Sequence, residues 1–307
     1  MTIPNLPSFV DIHKDVLNAL NSGTPIVALE STIITHGMPF PDNVEMASSV
    51  ETLICNNGVV PATIAVIDGR IKIGLTSDEL TQLAKVKNAL KISRADMAFA
   101  ISQGKTAGTT VAATMIIARM AGIRIFATGG IGGVHRGAET NFDISADLTE
   151  LGKTDVLVVA AGAKAILDVP KTLEVLETQG VPVVGYQTDS LPAFWTRESN
   201  LDVPLRMDST SQISDFMKVR DELNLNSGIL IANPIPEIDE IPAKIINSYI
   251  EKAQAEMENN NISGKQVTPF LLKRIFELSN GSSLISNIAL VKNNAYVAAK
   301  IAKNFYK

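Results

Sequence analysis

Ile123-Arg124-Ile125-Phe126-Ala127-Thr128-Gly129-Gly130-Ile131-Gly132-Gly133-Val134-His135-Arg136-Gly137 is a short, largely apolar run that opens into a loop with five glycines among its last ten residues. The apolar run reads as a buried strand, and the loop leaves the backbone bare at its end. Bare main-chain N–H groups beside His135 and Arg136 suggest an anion cradle. The two familiar phosphate fingerprints do not fit. Gly130-Ile131-Gly132 is followed three residues on by His135, and Gly132 to Gly137 runs into Ala138 where a P-loop has Lys-Ser/Thr.

The same strand-then-polar-end pattern repeats along the chain. Pro25 to Leu29 ends at Glu30, Asp155 to Ala160 leads to Lys164, Pro182 to Tyr186 ends at Gln187, and Gly228 to Ala232 ends at Asn233. Helical segments separate these strands. Val111 to Met120 is apolar all round and reads as a buried helix, while Ala243 to Glu258, Thr268 to Leu278 and Ser283 to Asn304 make the carboxyl-terminal third helical. The first helix is expected over Phe9 to Leu20 with a stop at Gly23, the second from Asp42 or Asn43 to Asn56. Asp68-Gly69 between Ala62–Ile67 and Ile71–Leu75 is a type I′ hairpin signal, so the sheet is expected to be mixed. Thr76 to Glu79 has capping-box spacing before a helix ending at Lys85, and Ser93 to Asp96 opens another. The alternation predicts one α/β domain over residues 1–307, a three-layer α/β/α sandwich with a mixed, mostly parallel central sheet. In such sheets ligands bind beyond the carboxyl ends of the strands, which would bring Glu30, the glycine loop and Lys164 together.

Composition narrows the partner. A net charge of −5 without lysine or arginine blocks argues against nucleic-acid and anionic-membrane surfaces and for a small molecule. Met1 to Asn5 shows no leader pattern and no stretch has the length of a membrane span, so a cytoplasmic protein is expected. Cys55, the single cysteine, is expected on a buried helix face beside Ile54, and Trp195, the single tryptophan, as a packing anchor. Asn141 to Asp147 offers two aspartates and a serine, which suit a hard cation and hydroxyls or, equally, helix capping. Lys164 among alanines suits a nucleophilic amine, though a lysine there also suits a snorkelling surface position.

Four stretches then carry a resemblance: Val27 to Pro39 around Leu-Glu-Ser-Thr, Ala127 to Gly137, Ala161 to Lys164, and Ala232 to Pro236. In this order they closely resemble the pseudouridine-5′-phosphate glycosidase family, also called indigoidine synthase A-like, over about residues 6 to 305. The resemblance implies an α/β/α homotrimer that reversibly splits pseudouridine 5′-phosphate into uracil and ribose 5-phosphate with a divalent metal, usually Mn2+. It implies Glu30 as proton donor, Lys164 as nucleophile and Asp143 as metal ligand. Ser145, Ala146 and Asp147 would lie near the substrate, with Lys91, Val111 and Asn287 also lining its pocket. The phosphate cradle is expected among the glycine loop that starts at Thr128, His135, Arg136 and Lys91. The bond concerned joins ribose C1′ to uracil C5, so protonating an exocyclic leaving atom cannot break it as in ordinary glycosidases. An imine on Lys164 supplies another electron sink. A Schiff-base sugar-phosphate lyase or aldolase would use the same lysine, and a non-catalytic sugar-phosphate sensor would need neither Glu30 nor Lys164.

Overall fold

A computed structural model describes residues 6–260, 262 and 264–307; Met1 to Asn5 lie outside the described residues. The chain opens with a short strand β1 (Val10–Ile12) and helix α1 (Lys14–Ser22). This corrects the single helix expected over Phe9 to Leu20. Val10 and Ile12 alternate with Asp11, a strand period, and β1 pairs in parallel with a later strand while Asp11 forms ion pairs with Arg70 and Lys72. His13 Nδ1 accepts from Asp15 N–H to start the helix, and Gly23 ends it at φ 72°.

Strand β2 (Ile26–Leu29) is fully buried, and α2 (Asp42–Asn56) follows after a turn of π-helix at Ile33–Gly37. Helix α2 points Met46, Ala47, Val50 and Ile54 inward at helical spacing. Cys55 lies one residue round from Ile54 and is exposed, contrary to expectation. The hairpin is present: β3 (Val60–Ile67) and β4 (Arg70–Ile73) pair antiparallel across Asp68 and Gly69, both at positive φ. Thr76 and Glu79 complete a capping box on α3 (Ser77–Lys85). Two short strands that three-residue patterns do not reveal in the sequence, β5 (Leu90–Ile92) and β6 (Ala107–Thr109), flank α4 (Met97–Ser102).

Helix α5 (Val111–Met120), buried nearly all round as expected, leads to β7 (Ile125–Ala127). Beyond the glycine loop come β8 (Val134–His135), α6 (Ala138–Asn141), α7 (Ala146–Leu151), β9 (Leu157–Ala160), β10 (Leu167–Asp168) and α8 (Val169–Thr178). Next are β11 (Val183–Tyr186), β12 (Leu205–Met207), α9 (Thr210–Glu222) and β13 (Ile229–Ala232), then the three closing helices α10 (Ala243–Asn259), α11 (Val267–Leu278) and α12 (Ser282–Phe305).

Among the described residues the main sheet runs β1-β4-β3-β2-β7-β9-β13-β11-β12, with β6 joining β3 and β5 joining β6. From β3 through β12 along this order every pairing is parallel, while β4 and β6 lie antiparallel to β3. The sheet is therefore mixed and mostly parallel. Its central strands read as unbroken apolar runs because both faces are covered by helices. Helix α12 spans the core, burying Leu290, Ala295, Ala298 and Ile301, and packs against β2, β7 and β9.

Candidate active site

Strands β2, β7 and β9 are neighbours, so Glu30, Thr128 and the Ala161–Lys164 loop emerge side by side. The ladder continues past the strands. Ile131 N–H donates to Gly162 O at 3.1 Å and Lys164 N–H to Ile131 O at 3.1 Å, zipping the lysine loop onto the glycine loop. Gly162 makes the necessary turn at φ 78°, where a side chain would run into Pro192 O. Thr128 Oγ1 donates a short hydrogen bond to Glu30 Oε1.

The bare glycines serve packing more than anion binding. A Cβ on Gly130 would stand 2.7 Å from the Phe194 ring, and one on Gly132 would meet Ser145 Oγ. The loop's amides also have protein partners: Gly132 N–H donates to Asp147 Oδ2 at 2.8 Å and Val134 N–H to Thr172 Oγ1 at 3.0 Å. A loop whose donors are this far committed is not an open anion nest. It is clamped from below as well. Asn294, buried in the middle of α12, donates to Thr128 O at 2.8 Å and to Gly129 O at 3.3 Å, and accepts from Asn233 Nδ2 at 2.9 Å. The polar strand end at Asn233 thus supports the loop from within the core.

Two lobes meet above these strand ends, sharing Glu30, Thr32, Lys91, Lys164 and Thr268. One is mainly apolar, walled by Ile33, Met38, Phe194, Leu290 and Val291, with Asn287 as its amide. The other is polar and takes in Ser93, Thr110, Val111, His135, Asp143, Ser145 and Ala146. Thr110 caps α5, so this lobe faces the positive end of a helix dipole. Thr32, Ser93 and Thr110 join the cleft without having been expected there, although each lies within two residues of Glu30, Lys91 or Val111. Thr268 reaches the cleft from α11, and nothing local in sequence marks it. The hydroxyls of Thr32 and Ser93 are buried without a protein partner.

Burial pushes the Glu30 carboxyl above the usual carboxylate range, against the opposing pull of Lys164 and the Thr128 hydroxyl. His135 and His36 both lie below the ordinary imidazole value because they are removed from water, which in His135 outweighs the neighbouring Asp143. His36 Nδ1 is 2.7 Å from Thr35 Oγ1 and its ring forms part of the apolar wall.

Several expected positions are not in the cleft, or not free within it. Arg136 is exposed, lines neither lobe, and donates to Gln254 Oε1 at 3.0 Å, because it directly follows His135 and successive residues point to opposite sides at β8's end. Gln187 follows β11, two places removed from β9, and lies in a separate surface cleft with Thr188 and Arg206. Asp147 lines the polar lobe, but its carboxylate is occupied: Oδ1 accepts from Ala112 N–H at 2.9 Å and Oδ2 from Gly132 N–H, tying the first turn of α5 to the glycine loop. Of the two aspartates proposed for a cation, Asp143 is the one left. No group of three or more His, Cys, Asp and Glu suited to a metal occurs among the described residues. One carboxylate with the Ser145 hydroxyl nearby is an all-oxygen donor set, which suits a hard cation completed by water and substrate oxygens rather than a protein-only cage.

Parallel strand ends carrying an acid and an amine over a two-lobed cleft define the class: an α/β/α protein with a small-molecule site at the carboxyl edge of its sheet. The model of the family described as indigoidine synthase A like protein matches residues 15–304, and the chain belongs to that family. A pseudouridine-5′-phosphate glycosidase of Dinoroseobacter shibae is 75% identical over 97% of this chain and 98% of its own. One of Staphylococcus aureus is 54% identical over 97% of each. Among solved structures, the prealnumycin C-glycosynthase AlnA in complex with ribulose 5-phosphate superposes with a TM-score of 0.90 at 37% identity, covering 98% of both chains. An indigoidine synthase A-like protein of Thermotoga maritima gives 0.90 at 32% identity over the full length of both.

Proposed function

We propose that this chain is an enzyme that reversibly cleaves pseudouridine 5′-phosphate with water to uracil and ribose 5-phosphate. The observation that carries the reading is a single cleft in which an apolar, ring-walled lobe and a polar lobe at a helix N-terminus meet at Glu30 and Lys164. A flat base fits the first lobe and a sugar phosphate the second. The relatives at 75% and 54% identity bear the name of this activity, and the C-glycosynthase of the same fold was solved with a pentulose phosphate.

Glu30, protonated, gives its proton to the ribose ring oxygen as the ring opens, and the unprotonated amine of Lys164 bonds to C1′. With C1′ held by nitrogen, protonation at uracil C5 lets the C1′–C5 pair leave on the base, where the carbonyls accept the charge. An imine between Lys164 and ribose 5-phosphate is left, and water hydrolyses it to the aldehyde and free amine. Lys91, His135, Ser145, Ala146 and the first turn of α5 at Val111 position the sugar phosphate, and Asn287 meets the base; Thr128, expected in the phosphate cradle, is buried, lines neither lobe and acts through its hydrogen bond to Glu30. Arg136 is withdrawn from this list because it faces away from the cleft. Asp143 would hold a divalent cation, Mn2+ by family resemblance, which when bound supplies positive charge to substrate oxygens. A cytoplasmic homotrimer belongs to the same proposal; no helix among the described residues is long and apolar enough to cross a membrane.

Ultraviolet monitoring of pseudouridine 5′-phosphate tests the reading. The expected result is release of uracil that chelation slows by roughly tenfold or more and added Mn2+ restores. A chain that turns over ribose 5-phosphate analogues lacking uracil but frees no uracil would be a sugar-phosphate lyase or aldolase, and one that binds the sugar phosphate without turnover would be a sensor. Light scattering at three chain masses is expected for the assembly.

A further inference from the structure

The amide in the apolar lobe has its direction set by a residue behind the wall. Trp195, the single tryptophan, is 1% exposed. Its indole N–H donates to Asn287 Oδ1 at 2.7 Å and, at longer range, to Ser283 O at 3.3 Å. An indole nitrogen has no lone pair to accept with, so this contact admits one orientation of the Asn287 amide: oxygen toward the indole, NH2 as the other polar end, on a residue that walls the lobe. The indole is itself held. Phe194 meets it edge to face at 4.9 Å, and the Trp195 carbonyl accepts from Ile241 N–H at 3.0 Å. Phe194 in turn lies over Gly130, so the clamp is continuous with the glycine loop.

We propose that Trp195 is a positioning residue that sets the specificity for the base: it turns Asn287 into a hydrogen-bond donor on a wall of the mainly apolar lobe. A base offering a ring carbonyl there is accepted. A base offering an exocyclic amine sets donor against donor at Asn287, and is rejected. The inference rests on the uracil-releasing activity proposed above.

The test compares inhibition by uracil, cytosine and isocytosine, the last two carrying an amine in place of one or the other uracil carbonyl. Wild-type protein must first release uracil from pseudouridine 5′-phosphate; if it does not, the functional reading itself fails. Given that release, wild type is expected to bind uracil at least roughly tenfold more tightly than one of the two amino analogues. Trp195→Phe keeps the ring body, loses the donor and lets the amide turn, so this ratio is expected to fall to within about threefold. Uniform weakening of all three bases would mark a purely structural role and overturn the proposal. Asn287→Asp retains an acceptor for the indole and presents a second acceptor to the lobe, so it is expected to shift preference toward the amino analogue. An unchanged ratio in that variant, or in Trp195→Phe with a wild-type melting temperature, would overturn the proposal while leaving the functional reading intact.

Discussion

At Glu30 burial opposes the carboxylate while Lys164 and Thr128 favour it, and burial prevails. A carboxyl whose folded pKa lies above its unfolded value binds protons more tightly in the native state. Its stability contribution is full below the unfolded value and is lost as pH rises through the folded one. Glu30→Gln carries no such charge, so its melting temperature is expected to gain on wild type as pH rises above the ordinary carboxylate range; a constant difference would contradict this. The same variant should bind substrate and lose roughly 10²–10⁴-fold in kcat. Thr128→Val deletes a donor to the ionised form, which raises the Glu30 pKa further. Since the acid must be protonated to act, the alkaline limb of kcat/KM is expected to move to higher pH, and a shift to lower pH would remove Glu30 from that role.

The elements hold these groups through close approaches and a few buried polar contacts. Gly130→Ala places a methyl group against the Phe194 ring and should cost about 1–3 kcal/mol by denaturant unfolding, with KM rising as Phe194 is displaced. Asn294→Leu leaves the Thr128 and Gly129 carbonyls and the Asn233 amide without their partner; a loss on the order of 3 kcal/mol is expected, and a neutral result would mean water replaces the amide. These contacts also mark where sequence stops being informative. The Asp68-Gly69 hairpin, the Thr76–Glu79 capping box and the Gly23 stop were legible because their physics is local. Strand β1 hid inside a plausible helical pattern because its pairing with β4 lies some sixty residues away in the chain. The glycine loop looked like an anion nest because nothing near it in sequence shows Asp147, Thr172, Phe194 and Asn294 filling its surroundings. Arg136 and Cys55 were misplaced for a simpler reason: side-chain direction changes within one or two residues, faster than pattern reading resolves.

For the whole molecule, the decisive property is that β2, β7 and β9 are adjacent and parallel, so three segments scattered over more than a hundred residues deliver an acid, a threonine and a lysine to one edge. That convergence was legible, since each strand ended visibly in a polar residue and parallel order puts such ends together. The division into an apolar and a polar lobe was not, because α11 and α12 complete the walls from the carboxyl-terminal third. The central claim is that this edge forms a carbon–nitrogen bond in order to break a carbon–carbon one. Borohydride added during turnover of pseudouridine 5′-phosphate, followed by peptide mass analysis, tests it most directly. A reduced ribose phosphate adduct on Lys164 and no turnover by Lys164→Ala are expected; steady uracil release with Lys164 unmodified, or normal cleavage by that variant, would rule the imine out.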